Sequence, residues 1–453
     1  MTKEEFYDIV EKLIIPLFTG SYLAGEEKSS SRDLEVALGK GSSILLKPSK
    51  MDEYRIVLKR GQAFKSFEVG LIKEIINEMN LIAESNMSDL SYIEKMRDLA
   101  VEKALIDSIA STASGTILGI INGMEKWSAR TYEGTEVNLG VMVNLSEKAD
   151  EDGKVHYSSI LTSDFFSLFT DGTSSFMEFD ANGGLLGYVS LKNPRNVSTI
   201  SPYRYEKIAR VCNDKRVGIV LTKRGDILVF YARQLIFAKR NGNWCVFSHE
   251  EIVRLLQNNV SYTAKIIRKS IYNTALDCSF AYNGACIVYL NNDQTRNALS
   301  RINAQDIVSE EHFELKKELE LEEAGKLYNI ANSKELIDKF DVSYQEFLEK
   351  NRLSKTKTLR KIIAGKKLFE LDRKFIEEMM SVDGATIIDH DGTIIAVGAI
   401  VKIDAGSEGG GRLAAAKTMA RYGVAIKVSQ DGILEGFTLD KKKNVVRQIF
   451  YMG

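Results

Sequence analysis

Residues 404–423 read DAGSEGGGRLAAAKTMARYG, with glycine at 406, 409, 410 and 411, then Arg412, then a helix-forming run. Glycine lets backbone N–H groups approach a ligand closely, at a cost in chain entropy. A helix N-terminus adds positive partial charge. Together they suit an anion, most naturally a phosphate. Arg412, in the first turn, has the geometry for a bidentate phosphate contact. The candidate ligand-binding residues here are Gly409, Gly410, Gly411 and Arg412. No Gly-Lys-Ser/Thr follows, so this is not a P-loop, and the spacing is not that of a dinucleotide fingerprint. A plain flexible loop capping a helix accounts for the same letters.

Asp383-Gly384-Ala385 adds a second element. A carboxylate at the mouth of a strand, followed by glycine, can face a ligand or hold a divalent metal. An Asp-Gly turn before a strand is the ordinary alternative. Asp383 is the one metal candidate. Asp389, Asp391 and Asp404 read as turn residues rather than a metal cluster.

These elements must be positioned by a larger chain. The 453 residues allow two or three domains. With 61 basic and 62 acidic side chains, bulk charge gives no reason to expect DNA or an anionic membrane as partner. Cys212, Cys245, Cys278 and Cys286 form no CxxC pair and the four histidines are scattered, so reduced thiols are expected and zinc is not. The N-terminus lacks the basic start of a signal peptide. No apolar run approaches the roughly 18 residues that span a bilayer. The expected location is the cytoplasm.

Residues 1–110 read as an N-terminal helical and α+β region. A helix is followed by a strand pair (SSILLKPSK and EYRIVLKRG), then helices from about Phe64 to Ala110. After that the chain repeats itself. Helix, Tyr-x-Gly turn and apolar strand occur at Tyr132–Gly134 and again at Tyr282–Gly284. An Asp-Gly, a strand, a tight turn and a second strand follow Asp171 and again Asp383. A helix end, strand, Gly turn and strand follow Ile208 and again Met419. The expected domains are 111–250 and 251–453. The second carries a charged, helix-periodic insertion at about 300–366, either a solvated excursion or an association arm. The fold class is α/β (α+β), with two tandem mixed-sheet domains flanked by helices.

The run DGATIIDHDGTIIAVGAIV, with GGGRLAAAKTMARYGVAIKVSQDGIL after it, resembles the diadenylate cyclase domain of bacterial DNA-integrity scanning proteins and their relatives. That family makes cyclic di-AMP from two ATP molecules held between two facing domains. The resemblance covers roughly 260–300 and 366–445. Asp383, Gly384 and Ala385 match its Asp-Gly-Ala motif, and Gly410 and Arg412 match the start of its Gly-x-Arg-His-Arg motif. Leu413 stands where the family has histidine, and Ala414 where it has the second arginine. In the first copy Asp171-Gly172-Thr173 keeps two of three positions, the glycine loop is missing, and Arg204 is a weak stand-in for Arg412.

Phosphoryl transfer depends on neutralising charge on the transferred group, and an arginine contact is worth ~10³ or more in rate. Leucine and alanine supply none of it. The resemblance therefore implies a degenerate, non-cyclase member: a sensor for a nucleotide or a cyclic nucleotide second messenger, as in bacterial signalling or anti-phage defence. A partner effector or self-association would carry its output. The first alternative is an active diadenylate cyclase, with Asp383 catalytic and Mg²⁺ or Mn²⁺ required; otherwise no cofactor is expected. The second is an assembly protein that binds no nucleotide.

Overall fold

The computed structural model describes residues 1–49, 52–85, 89–132, 134–150, 155–163, 165–192, 197–328, 354–363, 365–403 and 410–453. The chain divides into two compact units, Met1–His249 and Glu250–Gly453. The fold is α/β with tandem mixed-sheet domains.

The first unit opens with a helix, Lys3–Ile9, whose start is fixed by a reciprocal cap between Thr2 and Glu5. A four-stranded antiparallel sheet follows: β1 (Tyr22–Lys28), β2 (Val36–Leu38), β3 (Ser43–Leu46) and β4 (Tyr54–Lys59), in the order β1-β4-β3-β2. Helices Ser66–Glu84 and Leu90–Ala110 come next. A helix Ser114–Ser128 and a short hairpin, β5 (Thr131–Tyr132) with β6 (Thr135–Glu136), lead into the main sheet. Its strands are β7 (Leu139–Asn144), β8 (Ser175–Asp180), β9 (Leu185–Ser190), β10 (Arg216–Leu221), β11 (Ile227–Tyr231), β12 (Gln234–Arg240) and β13 (Asn243–Val246), in the order β13-β12-β11-β10-β7-β8-β9. Phe6, Ile44, Ile72, Leu105, Val141 and Phe237 belong to one contiguous core. The N-terminal 110 residues therefore share a core with the sheet that follows.

The second unit carries β14 (Ala285–Leu290), β15 (Ala385–Ile388), β16 (Ile394–Ala399), β17 (Gly423–Val428), β18 (Leu434–Asp440) and β19 (Val445–Met452), in the order β16-β15-β14-β17-β18-β19. This is the first unit's order with β13 left off. In each, a central strand (β7 or β14) runs parallel to one neighbour and antiparallel to the other. Each parallel neighbour then turns back as a hairpin. Both central strands are buried along their full length, as an apolar strand covered on both faces must be. Between β14 and β15 the chain makes its longest excursion, whose described helices include Thr295–Leu299, Glu310–Tyr328, Ser354–Ile363 and Arg373–Met380.

Two expectations need correcting. The Tyr-x-Gly turns are not equivalent. Gly284 directly precedes β14, whereas Gly134 sits in the β5–β6 hairpin, ahead of β7. The similar letters serve different turns. Second, the helical stretch Leu90–Ser128 does contain a window long and apolar enough to cross a bilayer, of which 56% is buried. Polar residues interrupt the apolar ones while the mean hydropathy stays high, so a search for an unbroken apolar run overlooks it. The helix also breaks at a 3₁₀ turn, Ser111–Ala113, and its apolar face (Leu105, Ile109, Ile117, Ile121) lies in the core.

Candidate functional site

β14 and β15 run parallel, so their N-terminal ends lie at one edge of the sheet. Gly284 leads into β14 and Asp383-Gly384 into β15. The helix Gly411–Met419 begins beside them, after Gly410 with φ +87°. The first turn of that helix delivers Arg412, whose Nη2 donates to Asp383 Oδ1 at 3.2 Å. The two sequence motifs therefore meet. Asp383 is almost wholly exposed (95% of its side chain), while Arg412 is largely covered (27%). A methyl group built on Gly284 would lie 2.4 Å from Arg412 Nη1, so glycine there makes room for the guanidinium. Arg412 Nε is buried without a hydrogen-bond partner among the described residues.

Gly384 has φ +106°, and a Cβ there would meet the Gly398 carbonyl carbon at 2.5 Å. Only glycine lets the β15–β16 hairpin close behind Asp383. Ala385 is fully buried and packs into the core, leaving only its backbone to face a ligand. Leu413 packs partly against the same core, and Ala414 is buried. Gly410 and Gly411 are at the helix start as expected, and Gly411 is exposed. Gly409 lies outside the described residues, as does Asp404.

As a metal ligand Asp383 would need further oxygens beside it. Among the described residues no group of three or more Asp, Glu, His or Cys side chains comes together to hold a metal ion, and the Asp383 oxygen is shared with Arg412. Magnesium wants several oxygens in near-octahedral array.

The equivalent aspartate of the first unit is used differently. Asp171 turns back on its own loop. Its Oδ1 accepts the N–H groups of Thr173, Ser174 and Ser175 at 2.9, 2.7 and 2.9 Å, and its Oδ2 accepts the Ser174 hydroxyl at 2.6 Å. Burial works upward on this carboxyl, but the Ser174 hydroxyl and the loop N–H groups outweigh it and hold the pKa well below the usual range. Arg204 is exposed in the turn Tyr203–Tyr205.

Three further side chains join the second unit's hairpin to its insertion. Asp389, in the β15–β16 turn, accepts from Thr295 Oγ1 (2.7 Å) and His390 N–H (2.8 Å), and lies 3.1 Å from His312 Nε2. His312 Nδ1 in turn lies 2.8 Å from Ser309 Oγ. At the insertion's other end, Lys355 Nζ donates to the Gly398 carbonyl at 2.8 Å and lies 4.0 Å from the buried Asp306. The neighbouring Thr356 hydroxyl donates to the Gln305 carbonyl. Asp389 is the turn residue that the sequence suggested, but its ties to Thr295 and His312 and that of Lys355 to Gly398 were missed, because these partners lie 94, 77 and 43 residues apart and no spacing rule connects them. Asp391 is occupied by Lys367 and by Thr393 N–H, as befits a turn residue.

All four cysteines are free and buried. Burial raises every thiol pKa, those of Cys278 and Cys286 to about 12, so none is poised for nucleophilic work at neutral pH. Comparison of the chain with protein-family models, curated proteins and solved structures finds no match.

Proposed function

We propose that the second unit binds a phosphate-bearing nucleotide at the N-terminal edge of β14 and β15, and that the protein is a cytoplasmic nucleotide or cyclic-nucleotide sensor rather than a cyclase. The observation that carries this reading is the Arg412–Asp383 pair, seated on Gly284 and Gly384. Arg412 is held in place before any ligand arrives, so little side-chain entropy is lost on binding. Its guanidinium has donors beyond the one given to Asp383. The exposed carboxylate of Asp383 suits a ribose hydroxyl, which donates where a phosphate cannot. One guanidinium and a helix start supply enough positive charge for a ligand with one charge per phosphate. They fall short of a reacting triphosphate, because Leu413 and Ala414 add no donors.

The test is a thermal-melt screen against ATP, GTP and cyclic di- and trinucleotides, with and without Mg²⁺, with pyrophosphate assayed in the same wells. Saturable stabilisation without pyrophosphate, lost in Arg412→Ala, is the expected result. Metal-dependent pyrophosphate release lost in Asp383→Asn would make the protein a cyclase. No shift with any nucleotide would leave assembly as its role.

A further inference from the structure

The candidate site is short of cations, and a lysine of the insertion lies against the strand residue behind its Asp383-Gly384 turn. Lys355 belongs to the helix Ser354–Ile363, on the return limb of the insertion. Its Nζ donates to the Gly398 carbonyl at 2.8 Å. Gly398 lies directly behind the Asp383-Gly384 turn. The Cβ position at Gly398 is 2.7 Å from the Asp383 carbonyl oxygen and 3.1 Å from Lys355 Nζ. The same glycine carbonyl group crowds the Cβ position of Gly384. Lys355 and the backbone of Asp383 therefore flank one residue.

We propose that Lys355 is the second cation of this site, donating to a ligand phosphate alongside Arg412, and that the insertion is thereby part of the binding site rather than a solvated excursion. The inference rests on the nucleotide-binding reading above and deepens it.

Three features support the assignment. The Lys355 side chain is part-exposed, at 37%. Lysine has three donors, and Gly398 takes one. Among the described residues the carboxylate paired with it, Asp306, is 1% exposed and 4.0 Å away, beyond hydrogen-bond reach, so it takes none of the remaining donors. Asp306 is itself engaged by Ile400 N–H at 3.3 Å. The helix that carries Lys355 is tied down next door, through Thr356 to Gln305, so the ammonium is held rather than waving in solvent. Among the described residues of the first unit, which lacks the insertion, Asp171 has folded back onto its own loop.

The test uses the full chain and isothermal titration with ATP and with cyclic di-AMP. Lys355→Met is expected to weaken the tighter of the two by about tenfold, the scale of one charge-assisted phosphate contact. Lys355→Arg should restore affinity to within about threefold of wild type, because it keeps a donor and a charge. Thr356→Ala, which loosens the same helix but keeps the ammonium, should stay within about twofold. Affinity should also fall less steeply with added salt in Lys355→Met than in wild type, a change that loss of helix docking alone does not produce. If Lys355→Met binds like wild type while Arg412→Ala does not, the inference fails and the nucleotide reading stands. If Lys355→Met and Thr356→Ala lose affinity equally, with unchanged salt dependence, Lys355 is only a docking residue and the inference fails. If wild type binds neither probe, or Arg412→Ala binds as well as wild type, the reading fails and takes the inference with it.

Discussion

Arg412 lies so close against Gly284 that a single added methyl would come within 2.4 Å of its Nη1. The contact is between the end of a flexible side chain and a residue that opens a fully buried strand. Gly284→Ala should therefore displace the guanidinium without disturbing β14. The expected outcome is a melting temperature within about 3 °C of wild type. Nucleotide affinity should drop by about tenfold, as one charge-assisted contact is lost. Melting and titration on the same sample check both halves. A drop in stability without a drop in affinity would mean that Arg412 is not held for a ligand.

Gly384→Ala should behave in the opposite way. Here the atoms in the way are backbone, the Gly398 carbonyl group at 2.5–2.6 Å and the Ala399 carbonyl oxygen at 2.8 Å, and φ is +106°. Neither can swing aside. The strained backbone together with the clash should cost about 2–4 kcal/mol. Urea unfolding followed by circular dichroism would show it as a lower midpoint for the second unit. An unchanged midpoint would mean that the β15–β16 hairpin is far looser than its buried strands imply.

The insertion's first helix is joined to the β15–β16 turn by His312 and Asp389, whose side chains are 5% and 8% exposed. Replacing His312 with alanine leaves a buried carboxylate short of a partner, at a cost of about 2–4 kcal/mol. Burial pushes the Asp389 carboxyl upward, but His312, Thr295 and His390 together bring it well below the ordinary value of 3.8. A depressed carboxyl stabilises the fold at every pH above its unfolded value and loses that contribution as pH falls below it. The His312→Ala penalty should thus be full at neutral pH and shrink below pH 3.8. Hydrogen exchange across Glu310–Tyr328 is the measurement. Unchanged protection in the variant would show that this helix is held by other contacts.

The parts of the fold legible in the sequence were those written in apolar runs. LGVMVN, ACIVYL and IIAVGA are strands buried on both faces, and such runs stand out by composition alone. β1 was missed because YLAGEEK is a mostly exposed edge strand held by its ladder with β4, with only Leu23 packed against the core. At the candidate site, Asp383 and Arg412 were legible because glycines mark where the backbone must turn tightly. Gly284 was noticed for the wrong reason, as half of a repeated turn. Its place is explained by the guanidinium that lies on it. Lys355 could not be read, since its partner Gly398 is 43 residues away and is met through a carbonyl that any residue possesses.

A last prediction concerns the first unit, where both tryptophans reside, Trp127 and Trp244, so that tryptophan fluorescence follows its unfolding. His249 is 1% exposed, with Nε2 2.9 Å from the Leu235 carbonyl oxygen. Burial pushes its pKa down from 6.5 to about 4, against a smaller upward pull from that carbonyl. The unfolded chain therefore takes up a proton near pH 6.5 that the folded chain refuses until about pH 4. Stability is full above the unfolded value and falls as pH drops through this interval, by on the order of 3 kcal/mol over its whole width. His249→Gln keeps an N–H donor for Leu235 and removes the titration. Its urea midpoint should change less than that of wild type between pH 6.5 and about 4. Equal slopes in the two proteins would mean that other groups drive the acid sensitivity and that His249 is reached by water.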